Sequence, residues 1–168
     1  SAAAYQAAFK QARVIQAGSV EELFALAEAF SRQPPPRGRR VAVVTNAGGP
    51  GVLATDAAER EGLEMAEFSP ETIRKLRESL PPTAAVTNPV DVIGDATSER
   101  YRAALEVVER DPNVDAICVI LTPQAMTDTE NVARVICELS SRSEKTFVAS
   151  FMGGEKVEEG GRILSEGG

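Results

Sequence analysis

Histidine is absent from the 168 residues, and so is tryptophan. Without an imidazole, the chain cannot build a His-ligated zinc site, a Ser-His-Asp triad or a Cys-His pair from its own residues. A reaction that needs one must borrow it from elsewhere. Cysteine is limited to Cys118, in an expected buried strand, and Cys137, on an expected helix. That pattern fits reduced core thiols better than a disulfide or metal framework. No apolar run approaches the roughly 20 residues of a membrane span. The N-terminus lacks the basic region and apolar stretch of a secretory signal. Positive charge is in deficit: 18 Lys and Arg stand against 25 Asp and Glu, a net charge of -7. An acidic surface repels duplex nucleic acid and anionic membranes. These absences predict a cytoplasmic protein with no nucleic-acid partner, no membrane partner and no metal site.

What is present centres on residues 40–59. Val41 to Val44 is an apolar, β-branched run of strand length. Asn46-Ala47-Gly48-Gly49-Pro50-Gly51 then turns into a helix, with Pro50 at a first-turn position where its missing N–H is not needed. Such a turn aims free backbone N–H groups, and the positive end of the helix dipole, beyond the strand's carboxyl end. That suits an anion. The motif is neither Gly-x-Gly-x-x-Gly nor a Walker loop, and a tight turn with no ligand is the alternative reading.

Upstream, residues 1–12 read as a helix and 13–17 as a short strand. Ser19 and Glu22 form a capping box for a helix over 20–32, expected to bury Leu23, Phe24, Ala27 and Phe30. The Pro- and Arg-rich stretch 34–40 reads as a linker and a domain boundary. Downstream, strand and helix alternate. Further strands are expected at 63–66, 88–92, 116–121 and 146–150. Helices are expected at 70–79, 97–110, 129–141 and 155–165, the last weakened by Gly160-Gly161. Apolar strands joined by helices predict an α/β fold, a mainly parallel sheet of about five strands covered on both faces, of flavodoxin-like size. Ligands of such sheets sit beyond the carboxyl ends of the strands. The loops 45–49, 88–96 and 122–128 should therefore share one edge. Asn46, Thr122 and Gln124 would bring amides and a hydroxyl there, in a pocket without lysine or arginine. Asp91 either orients a catalytic imidazole or caps its loop; Asp95 and Asp128 read as turn or cap residues.

Three segments carry a family resemblance. Thr45-Asn46-Ala47-Gly48-Gly49-Pro50-Gly51-Val52-Leu53-Ala54-Thr55-Asp56, Asn88-Pro89-Val90-Asp91-Val92-Ile93-Gly94-Asp95-Ala96 and Leu121-Thr122-Pro123-Gln124-Ala125-Met126-Thr127-Asp128 resemble the flavodoxin-like ligase domain of the NDP-forming acyl-CoA synthetases. Within that succinyl-CoA synthetase superfamily, acetate–CoA ligase (ADP-forming) is the nearest type. Ala4 to Ala12 and Val20 to Phe24 resemble the segment just after that family's phosphohistidine loop. The resemblance implies that residues 1–33 end a preceding flavodoxin-like domain and that 41–168 form the ligase domain.

It also implies a function: interconversion of acyl-CoA, ADP and phosphate with acid, CoA and ATP through a phosphohistidine that this chain lacks. Helices starting near Gly49 and Gln124 would dock that group. The implied docking residues are Asn46, Gly48, Gly49, Gly51, Thr122, Gln124 and Ala125, with Asn88 and Asp91 as orienting residues. CoA, ADP or ATP, phosphate and Mg would belong to the complete enzyme and not to this chain alone. The implied partners are CoA-binding and phosphohistidine domains and an ATP-grasp domain. The isolated chain should be inactive. Two other readings compete: a regulatory synthetase-like module of a protein lysine acetyltransferase, and an FMN-binding protein, which the scarcity of aromatics disfavours.

Overall fold

A computed structural model describes residues 2–12 and 14–168. The chain divides into two compact units, 1–32 and 33–168. The first holds helices α1 (Ala2–Gln11) and α2 (Val20–Arg32). Half of the expected capping box forms: Ser19 Oγ accepts from Glu22 N at 3.1 Å, while Glu22 Oε2 accepts from Gly18 N at 2.6 Å in place of Ser19 N. Two expectations for this unit fail. Residues 14–17 are irregular chain rather than a strand, and Arg13 lies outside the described residues. Leu23, Phe24, Ala27 and Phe30 are exposed rather than buried. The amphipathic pattern of α2 is real, but a two-helix unit offers too little surface to bury it.

The second unit is a three-layer α/β sandwich. Its strands are β1 (Arg40–Thr45), β2 (Glu64–Met65), β3 (Val90–Asp91), β4 (Ala116–Leu121) and β5 (Thr146–Phe151). Its helices are α3 (Gly48–Arg60), α4 (Pro70–Ser79), α5 (Ser98–Glu109), α6 (Thr129–Arg142) and α7 (Glu158–Gly167), the last preceded by a 3-10 turn at Gly154–Val157. The strands run parallel in the order β2-β1-β4-β5, with β3 also on β1. Helices α4 to α7 pack side by side on one face of the sheet and bury Ala42, Val44, Val119 and Leu121 with Leu105, Val108, Val132 and Ile136. Each of the Val, Leu and Ile side chains among these contributes about 1.5–3 kcal/mol by leaving water.

The other face is covered less completely than expected. In this unit α3 alone packs on it, over β1 and β2. Further along, Cys118 is half-buried and Val148 on β5 is 48% exposed. Both cysteines are free and half-buried, and burial pushes both thiols up. Gly160 does not end α7. A Cβ there would stand 2.9 Å from the Phe151 ring and 3.0 Å from Thr129 O, so glycine lets the helix close onto β5 and α6.

Strands β2 and β3 occupy the same side of β1. Residue pairs Arg40–Glu64 and Val41–Met65 join β2 to its start, and Val44–Val90 and Thr45–Asp91 join β3 to its end. Asn88 fills the gap between them. Its Oδ1 accepts from Val43 N at 2.9 Å, and its Nδ2 donates to Val41 O at 2.8 Å and Ala66 O at 3.1 Å. The side-chain amide stands in for the missing strand backbone.

At the opposite, amino edge of the sheet, Asp115 accepts from Arg40 N, Nε and Nη2 at 2.8–2.9 Å. These hydrogen bonds hold its carboxyl at about 2, against an ordinary value of 3.8. The carboxylate binds fewer protons folded than unfolded, so its stabilisation is present above about pH 4 and lost as pH falls toward about 2. Asp115→Asn should lower stability near neutral pH by about 2–3 kcal/mol. In denaturant titrations across pH, the variant should also lack this part of the acid dependence. An unchanged acid slope would remove Asp115 as its source.

Candidate anion-docking site

The loops 45–49, 88–96 and 122–128 meet at the carboxyl ends of β1, β3 and β4. Asn46 is 2% exposed. Its Nδ2 donates to Thr122 O at 2.7 Å, and its Oδ1 accepts from Thr122 N at 2.9 Å and Thr122 Oγ1 at 3.3 Å. The amide extends the β1–β4 ladder by one step, so it is committed to structure rather than open to a ligand. Asn88 is committed in the same way, by two bonds to the β1 edge and one to Ala66 O. Beneath Asn46, Tyr101 is fully buried, and its hydroxyl donates to Ile120 O at 2.9 Å. Burial raises its pKa well above the ordinary phenol range, against the opposing pull of a hydrogen bond from the Asn46 backbone N–H.

The two helix starts differ. Helix α6 begins at Thr129, not near Gln124. Its N-cap Asp128 accepts from Asn131 N at 3.0 Å, and Glu130 adds a second carboxylate to the first turn. A negatively capped helix end already has its dipole answered. Residues 124–127 form a separate turn, with Thr127 N donating to Gln124 O at 3.1 Å and Gln124 N donating to Thr127 Oγ1 at 3.1 Å. Helix α3 is the reverse case. Its N-cap is Ala47, no side chain caps it, and its first turn carries no acidic residue. Two first-turn N–H groups, those of Gly48 and Gly49, therefore open onto the site without a side-chain acceptor.

Gly51 is buried, and a Cβ there would lie 3.1 Å from Thr45 Cγ2, so α3 sits close against the end of β1. Gly49 is exposed, with nothing within 4 Å of the position of a Cβ. Asp91 Oδ1 accepts from Ile93 N at 2.8 Å, which makes it a loop cap, while Oδ2 lies 3.5 Å from where a Gly48 Cβ would stand. Gly94 brings the 92–96 loop against Gln124 Cγ and Asn46 O, at 3.7 and 4.0 Å from its Cβ position. Gln124 and Ala125 are exposed on the rim. Asn46, Gly48, Asp91, Thr122 and Gln124 are thus brought together, while Asn46 and Thr122 serve each other.

Arg100, missed from the sequence, reaches the back of this site: its Nη1 donates to Val92 O at 3.0 Å and pairs with Asp95. The signal was its place in the first turn of α5, where a cation opposes the helix dipole and so needs a specific partner. Among the described residues, no group of three His, Cys, Asp or Glu side chains could share a metal ion. No described helix is long and apolar enough to cross a membrane.

The Ligase-CoA domain family matches residues 41–168. The chain is 44% identical over 168 residues to the alpha subunit of acetate–CoA ligase (ADP-forming) II of Pyrococcus furiosus, covering 98% of this chain and 36% of that protein. It is also 44% identical over 165 residues to acetate–CoA ligase (ADP-forming) I of Archaeoglobus fulgidus, covering 98% of this chain and 23% of that one. Among solved structures, acetyl-coenzyme A synthetase 1 of Ca. Korarchaeum cryptofilum, in complex with phosphate and ADP, superposes with a TM-score of 0.90 at 32% identity. That match covers 99% of this chain and 36% of the other. The chain therefore spans between about a quarter and little more than a third of the longer proteins it matches, and by its sequence and its sheet it belongs to the Ligase-CoA domain family.

Proposed function

We propose that this chain is the phosphohistidine-docking part of an ADP-forming acid–CoA ligase. In this reading the full enzyme interconverts acyl-CoA, ADP and phosphate with acid, CoA and ATP. Residues 1–33 end the preceding flavodoxin-like domain, 34–40 link it, and 41–168 dock the phosphorylated imidazole. The observation that carries the reading is the contrast between the helix starts: α3 opens uncapped onto the site, while α6 is closed by Asp128. A phosphohistidine delivered to Gly48 and Gly49 would accept two charge-assisted N–H bonds, each contributing about 1.5–3 kcal/mol. The Asp91 Oδ2 beside Gly48 would accept the remaining imidazole N–H and orient the ring. The site holds the phosphoryl group by backbone dipoles rather than lysine, and a group so held can be released onward to ADP.

The histidine, the CoA site and an ATP-grasp domain that would take ADP and Mg belong to other parts of the enzyme. The chain's own residues provide docking only. The test is reconstitution of the longer polypeptide, carrying its upstream histidine, with an ATP-grasp partner. Acid, CoA and ATP should yield acyl-CoA, with an acid-labile phosphohistidine trapped when CoA is withheld. Absence of both products in a folded assembly, or protein acetylation in their place, overturns the reading.

A further inference from the structure

The loop 92–96 holds a conformation that its sequence disfavours. Ile93 sits at φ 71°, a left-handed backbone that β-branched residues avoid. Two side chains hold it there. From the strand side, Asp91 Oδ1 takes the Ile93 N–H at 2.8 Å. From the helix side, Arg100 donates to Val92 O at 3.0 Å and pairs with Asp95. Arg100 is only 20% exposed, whereas Asp95 is 66% exposed, so the guanidinium is packed behind the loop rather than floating at the surface. The loop so fixed places Gly94 against Gln124 and Asn46 and leaves Asp91 Oδ2 beside Gly48.

We propose that Arg100 is a positioning residue for phosphohistidine docking, acting through the 92–96 loop on Asp91; its catalytic consequence rests on the function proposed above. With Arg100 in place, the Ile93 N–H engages one Asp91 oxygen and fixes the direction of the other. Without it, Ile93 relaxes to negative φ and its N–H leaves Asp91. The released carboxylate then turns onto the α3 N-terminus, where it competes with the incoming phosphoryl group as an internal anion.

The test has two arms. In the 168-residue chain, Arg100→Met should speed amide hydrogen exchange at Ile93 and Ala96 at least tenfold, leaving Val43 and Val119 unchanged. In the reconstituted enzyme, the same change should lower kcat for phosphoryl transfer to ADP at least fivefold, with KM for acyl-CoA and phosphate within twofold. Adding Ile93→Gly, which adopts the left-handed backbone freely, should recover most of that loss. A lesion that was only structural would not be rescued in this way. Unchanged exchange overturns the clamp. Faster exchange with unchanged transfer, in an assembly whose parent is active, overturns the positioning role. An inactive parent overturns the proposed function instead, and exchange still decides the clamp. If Arg100→Met fails to fold, Arg100→Lys, which keeps the charge but loses the planar fork, should show both effects at reduced size.

Discussion

Gly49→Leu should leave the fold standing and slow transfer from the phosphohistidine to ADP by about 100-fold. The position of a Gly49 Cβ has no neighbour within 4 Å, so leucine meets nothing inside the chain. Glycine within a helix is less favourable than leucine by about 0.5–1 kcal/mol, so the melting temperature should hold or rise. The open volume that spares the fold is the volume an incoming phosphoryl group would need. A displacement of about 1 Å at such a site is enough for a loss of that size. Single-turnover loss of phosphate from the histidine, measured beside thermal unfolding, separates the two effects. An unchanged transfer rate would end the assignment of α3 as the docking helix. Gly51→Leu offers no such separation, because a Cβ there would lie 3.1 Å from Thr45 Cγ2 and the longer side chain would have to displace it.

Asn88→Ala should do the opposite, with a large loss of stability and no specific effect on the site. Three backbone groups, on Val41, Val43 and Ala66, lose their side-chain partner, although Val41 O keeps its bond from Ala66 N. With unpaired groups at a partly buried sheet edge, the expected loss is about 3 kcal/mol. For a chain of this size that lowers the melting temperature by roughly 6–12 °C. Asn88→Asp should be no milder, since it keeps the acceptor but turns a carboxylate toward two carbonyl oxygens. If Asn88→Ala instead slowed transfer while the melting temperature held, the residue would return to the site as an orienting group.

These two residues show how far the sequence could be read. The β1 run, the glycine turn, Pro70 at the start of α4 and the periodic burial on α5 and α6 were legible, because each is a local pattern of hydrophobicity or backbone freedom. The meeting of three loops on one edge was legible too, because parallel topology dictates it. The roles of Asn46 and Asn88 were not. An amide that completes a ladder and an amide that binds a ligand look alike until their partners are known. The closing of α6 by Asp128 was visible as a cap residue, but its meaning for an anion depended on where the helix begins. Arg100 and Ile93 act through each other's backbone, a relation that spacing alone does not carry. In α2, apolar periodicity correctly marked a helix face without saying what, if anything, that face meets.

The arrangement at the edge of β1 has a consequence for how the domain tolerates change in length. Residues 66 to 88 leave the sheet and come back to the same lane, so that β2 and β3 are two halves of one interrupted strand, spliced by Asn88. Both feet of this excursion are pinned side by side on Val41 and Val43. Lengthening its outer turn changes only the closure entropy of a loop whose ends are already held, which grows slowly with added residues. The detour is therefore modular. Its exposed tip at 82–83 can vary in length while the register of the sheet, and the glycine turn, stay in place.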